Sequence, residues 1–153
     1  MPFPISLSGT VDVSGLGLTT EQAIDRLESA LAAAKATSLH RTAGGLHFRG
    51  GALRLVSSWN ILVPISTGIL EVTPEQNGVS IRYGLKFTQM LVAVTAVVAG
   101  IFGPVVASSR GASISGVLSV LLVLWSWLFG GNYVLTVWRF PRFLTKSISR
   151  PLC

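Results

Sequence analysis

Two stretches decide how this chain is organised: FTQMLVAVTAVVAGIFGPVVA, from Phe87 to Ala107, and ASISGVLSVLLVLWSWLFGGNYVLTVW, from Ala112 to Trp138. Neither contains a charged residue. A helix rising 1.5 Å per residue crosses the hydrocarbon core of a bilayer in about 20 residues. Each run is long enough, and the second has length to spare for tilt or an interfacial turn. Only Ser108-Ser109-Arg110-Gly111 lies between them, so a helical hairpin is expected. Burying two such helices in a soluble core would need far more protein than the 85 residues before them.

Composition supports the membrane reading. Half of the 153 residues are hydrophobic and 12% are charged, against about a quarter charged in soluble domains. All six acids (Asp12, Glu21, Asp25, Glu28, Glu71, Glu75) precede residue 76, and the six bases of residues 1–85 balance them. Lys86, Arg110, Arg139, Arg142, Lys146 and Arg150 have no acid among them, so the net charge of +6 belongs to the apolar half and its flanks. Bases that bracket apolar runs point to anionic lipid headgroups as partner, not to nucleic acid. Arg82 and Lys86 precede the first span, and Arg139, Arg142, Lys146 and Arg150 follow the second, against Arg110 alone in the connection. That asymmetry predicts both termini in the cytoplasm. Arginine outnumbers lysine nine to three, and the expected location is a bacterial inner membrane. Lys86, Trp138, Arg139 and Arg142 are the expected interfacial anchors. Pro141 is expected to end or kink the second helix, leaving residues 140–153 as a basic interfacial tail. The N-terminus, MPFPISLSGT, lacks the pattern of a cleaved signal peptide.

Within the spans, Ala99, Gly103 and Ala107 recur every four residues, as do Ala96 and Gly100, Ala112 and Gly116, and Ser115 and Ser119. Small residues at this spacing allow close approach of helices, either between the two spans or between copies of the chain. Pro104 is expected to kink the first span. Gln89 and Asn132 are the two amides in the spans, at similar depth in an antiparallel hairpin. An amide in lipid seeks a partner, so a hydrogen bond between them is expected, direct or through water.

Residues 1–85 read as a small α+β domain. Ile5, Leu7, Val11 and Val13 alternate about Gly9, as in one strand or a bulged one. Thr19 and Gln22 form a capping box opening a helix from Thr20 to Lys35, with Ile24, Leu27 and Leu31 on its buried face. Strands are expected around Ser38–Arg41, Gly45–Phe48, Ala52–Ser58 and Ile61–Ile65. A hairpin is expected from Ile69–Thr73 and Val79–Leu85, turning at Asn77-Gly78 through positive φ. The fold class is therefore α+β: a small N-terminal antiparallel sheet with one helix, then a two-helix transmembrane hairpin over residues 86–139, with spans at 87–107 and 112–138.

Catalytic signatures are lacking. His40 and His47 are the two histidines, and no Cys or carboxylate cluster joins them, so neither a metal nor another cofactor is expected. The serines lack a G-x-S-x-G elbow, and the glycine-rich stretches match neither a P-loop nor a dinucleotide fingerprint. Trp59, beside Asn60, is expected in the core at a strand junction. The lone Cys153 has no disulfide partner in the chain. The expected function is non-enzymatic presentation of a cytoplasmic domain to a protein partner, as a subunit, regulator or immunity-type factor. An oligomeric channel or transporter built from the hairpins is one alternative, and a membrane-surface lipid-modifying enzyme another.

Overall fold

The computed structural model describes residues 6–14, 17–50, 62, 64–108 and 113–149. The elements are β1 (Ser6–Ser14), α1 (Thr20–Ala33), β2 (Ser38–Thr42), β3 (Gly45–Arg49), β4 (Thr67–Glu75) and β5 (Gly78–Lys86). Two apolar helices follow. The first comprises α2 (Thr88–Val97), a π-helical turn (Val98–Phe102) and α3 (Gly103–Ala107); the second is α4 (Ile114–Ser149). The sheet is antiparallel in the order β1-β5-β4-β3-β2. The fold is mixed α+β, with the sheet and its helix ahead of the two apolar helices.

Alternation sets the two faces of the sheet. Leu46, Phe48, Leu70, Val72, Val79, Ile81, Tyr83 and Leu85 turn to one side and are buried, while Arg49, Glu71, Arg82 and Lys86 turn to the other and are exposed. Pairing of β1 with β5 runs unbroken from Ser6 opposite Lys86 to Ser14 opposite Gly78. Gly9 therefore lies in a regular strand without a bulge. Its missing side chain has a different purpose: a Cβ there would strike the Tyr83 ring, and one on Gly68 would strike the Phe48 ring. Each aromatic reaches over a glycine on the neighbouring strand.

Helix α1 opens as its sequence predicts. Thr19 Oγ1 accepts from the Gln22 backbone N–H, and Gln22 Oε1 accepts from that of Thr19. The helix packs Ala23, Ile24, Leu27 and Leu31 on the sheet. It ends two residues before the expected Lys35. Lys35 takes a left-handed φ of 62°, and the Lys35 and Ala36 N–H groups bond the Ala32 and Leu31 carbonyls. This is a Schellman ending with lysine in the position glycine usually fills.

Several sequence expectations need revision. Loops of two residues join β2 to β3 and β4 to β5. Neither Asn77 nor Gly78 takes positive φ, because Gly78 already belongs to β5, opposite Glu75. No strand covers the described part of Ile61–Ile65, where the Ile65 N–H closes a turn on the Leu62 carbonyl. The strand expected at Ala52–Ser58, Trp59-Asn60 and Cys153 lie outside the described residues.

The largest revision concerns residues 140–149. Instead of ending at Pro141, α4 continues to Ser149, 36 residues in all, about 54 Å at 1.5 Å per residue. Its last three turns bury Phe140, Leu144 and Ile148 completely in the core formed by the sheet and α1. Arg26 of α1 donates to the Ile148 carbonyl, tying the two helices side by side and neutralising a C-terminal acceptor of α4. An interior proline costs a helix about 3 kcal/mol. Fully burying a large apolar side chain returns roughly 1.5–3 kcal/mol, so three of them outweigh the proline.

Candidate functional site

The apolar helices present their side chains outward. In the most apolar 18-residue window of each helix, 6% of the residues are buried. Val92, Ile101, Val105, Leu118, Leu122, Val123 and Trp127 are all more than 60% exposed. Both helices are long and apolar enough to cross a membrane. One stripe of α4 makes the inward contacts. Trp125, Phe129 and Tyr133 stack in succession, and Tyr133 meets the edge of Phe87 at 5.3 Å between centroids. Two turns further on, the same face of the helix carries Phe140, 5.3 Å from the Tyr83 ring. Trp125 Nε1 donates to Thr95 Oγ1 at 3.0 Å, joining the two apolar helices.

The proline in the first apolar helix explains its π-helical turn. Pro104 lacks an N–H and its ring would collide with the Gly100 carbonyl in a regular helix. The turn before it widens, and the Gly103 N–H bonds the Val98 carbonyl five residues back. Ala99 is exposed, and a Cβ on Gly103 or Gly100 would meet no atom within 4 Å. Ala99 and Gly103 thus leave room for a neighbour beside the first apolar helix.

Two hollows flank the junction of sheet and helices. The first is a trough of about 780 Å³ across the open face of the sheet, where β5 leads into α2. Its outermost cross-strand row is Ser38, Arg49, Thr67, Lys86, Ser6, and the next is His40, His47, Ile69, Gly84, Ser8. Among the described residues, no carboxylate lines it. Gly84 leaves its floor open, since a Cβ there would meet nothing within 4 Å. The two-residue turn after Thr42 puts His40 directly opposite His47. The turn signal at Gly44-Gly45 contained that pairing, although their separation of seven residues obscured it. No group of three metal-ligating side chains occurs among the described residues.

The second hollow is a groove of about 250 Å³ between α2 and α4. Gln89 and Asn132 line it together with Pro64, Met90, Ala93, Val94, Val97 and Leu128. The two amides thus share one groove, but among the described residues no hydrogen bond joins them. Asn132 Nδ2 donates to the Leu128 carbonyl of its own helix at 2.7 Å. The Gln89 backbone N–H donates to Ser66 Oγ at 2.8 Å.

The four residues expected as interfacial anchors lie at the end of β5 and on α4 just before and within its buried turns. Lys86 ends β5 and lines the trough. Trp138 is exposed, and the Arg142 guanidinium carbon lies 3.8 Å from its ring centroid in a cation–π contact one helical turn away. Arg139 is half-buried. On the opposite side of the domain, Arg41 pairs with Asp25 at 2.6 Å and bridges β2 to α1.

No family model and no curated protein matches the chain. Among solved structures, it is similar over 99% of its length to the crystal structure of the di-domain ARO/CYC BexL from the BE-7585A biosynthetic pathway, at 14% identity and a TM-score of 0.32. The match spans about half of that protein, 52% of its chain. Similarity at this level carries no argument about activity.

Proposed function

We propose that this is an integral membrane protein that holds a recognition domain against one leaflet for a membrane-associated protein partner, acting as a subunit, regulator or neutralising factor. One observation carries the reading: α4 passes unbroken from an exposed apolar segment into the core of the domain. Of its roughly 54 Å, about 30 Å suffices for the hydrocarbon core of a bilayer. The remainder is the length that Phe140, Leu144 and Ile148 use on the sheet. A domain fixed in this way has a set orientation to the membrane, unlike one on a flexible linker. The excess of bases at the junction favours the cytoplasmic side of a bacterial inner membrane.

The test is chemical cross-linking in native membranes, followed by co-purification of the full chain in mild detergent. A reproducible protein partner is expected, lost when exposed residues of the open sheet face are changed. Recovery of the chain alone, without cross-links to another protein, would refute the presentation role. Self-cross-links through Ala99 and Gly103, together with ion or solute flux in liposomes, would favour the channel reading, because these small residues leave room for a second copy of the chain.

A further inference from the structure

The trough and the groove lie on either side of one short segment. Pro64 lines the groove and Thr67 lines the trough. Between them, Ser66 donates its backbone N–H to the Lys86 carbonyl at 2.7 Å and accepts from the Gln89 N–H on its hydroxyl at 2.8 Å. Lys86 belongs to the trough and Gln89, three residues on, to the groove. A cationic, hydroxyl-lined hollow on the open sheet face thus lies next to an apolar one between the helices, with Gln89 and Asn132 in its lining.

We propose that the two hollows form one binding site for a phospholipid with an anionic headgroup, the phosphate resting on Arg49 and Lys86 and one acyl chain descending between α2 and α4. Arg49 and Lys86 flank Thr67 in a single cross-strand row. Neighbouring strands lie about 4.8 Å apart, so the two cations start roughly 10 Å from each other at Cα. Long side chains at that spacing can close on one phosphate above the Thr67 hydroxyl. Ser6 and Ser38 extend the row with further hydroxyl donors. The first acid on this face, Glu71, comes two rows further from the helices, opposite Arg82. Gln89 to Val97 measures about 12 Å along α2, most of the depth of one leaflet's hydrocarbon. The site rests on the reading of the apolar helices as membrane spans. A soluble phosphate would use the trough and have no need of the groove, which is why a lipid is the assigned occupant.

The experiment is native mass spectrometry of the detergent-purified full chain with dioleoylphosphatidylglycerol, dioleoylphosphatidylcholine or inorganic phosphate. Retention of one phosphatidylglycerol per chain is expected, in clear preference to phosphatidylcholine. Each cation near a headgroup contributes about fivefold, so Arg49→Gln with Lys86→Gln should lower the preference roughly thirtyfold. Ala93→Trp, which fills the groove, should weaken retention of phosphatidylglycerol while leaving the circular dichroism spectrum unchanged. Equal retention of the two lipids, or an unchanged preference in the double variant, would overturn the assignment. So would inorganic phosphate that displaces the lipid while Ala93→Trp has no effect, which marks a free-phosphate site. Alkaline carbonate extraction of native membranes separates the two levels. A chain released to the supernatant defeats the membrane reading itself, and one that resists release but shows no lipid preference defeats only the lipid site.

Discussion

Replacing Phe140 by alanine tests whether the end of α4 belongs to the domain. Phe140 is fully buried, with the Tyr83, Phe143 and Phe48 rings at 5.3, 6.2 and 6.5 Å. Truncating a buried phenylalanine costs about 3–5 kcal/mol, and Tyr83 and Phe48, each lying over a glycine, have little room to refill the space. With every 1.4 kcal/mol worth about tenfold in an equilibrium, the open population of the sheet should rise by roughly three orders of magnitude. Amide hydrogen exchange of the full chain in detergent would report this at β4 and β5, whose backbone N–H groups are protected by the ladder on both sides. Lys146→Ala, at an exposed position on the same turns of α4, serves as the control and should remain within about 0.5 kcal/mol. If Phe140→Ala left exchange in β4 and β5 at the level of this control, residues 140–149 would not be part of the core, and the argument for a fixed domain would fail.

Three further outcomes follow from local geometry. Lys35→Gly should raise stability by about 1 kcal/mol, because glycine takes the left-handed conformation without the Cβ clash; a thermal melt in detergent would show a higher midpoint. Gly68→Val should cost about 1–3 kcal/mol, since the new side chain occupies the space of the Phe48 ring, and denaturant unfolding of the variant would measure it. Burial raises the Tyr83 pKa above its ordinary value. Below about pH 10 the phenol is neutral in both states and its burial carries no ionisation cost. Above that, the unfolded chain loses its proton first, so stability falls as pH rises until the folded-state pKa is passed. Tyr83→Phe should remove that part of the alkaline decline when unfolding is compared across the range.

The elements legible in the sequence were those governed by short-range rules. The capping box at Thr19 and Gln22, the stripe of Ile24, Leu27 and Leu31, and the alternation of Val79, Ile81 and Tyr83 each depend on neighbours within a turn or a strand, and each has the place its pattern predicts. The uncharged runs likewise gave both apolar helices. The end of α4 was obscured by competing signals. Pro141 and the bases Arg139, Arg142 and Lys146 have the composition of an interfacial terminus. The opposing signal was the spacing of Phe140, Leu144 and Ile148, four residues apart on one face, but its partner surface lies more than fifty residues away in sequence. The candidate site was less legible still. Lys86 was expected as an anchor and Gln89 as a polar residue in a span, whereas Arg49, His40 and His47 come beside Lys86 only through the order of the strands, which no local pattern encodes.

The joint between α4 and the sheet also governs the order in which the molecule can be completed. Chains generally fold from the N-terminus as they emerge during synthesis, yet the core of this domain includes Phe140, Leu144 and Ile148, which are made more than fifty residues after the last strand of the sheet. Until they arrive, Leu46, Leu70, Ile81 and Tyr83 lack one of the two helices that cover them. If the apolar helices insert as a hairpin, the second must return to the side from which the first departed before the domain can close. A chain whose second helix failed to return would display an uncovered sheet face to chaperones and proteases. Correct insertion and a finished domain would then be a single event, monitored by the stability of the protein itself.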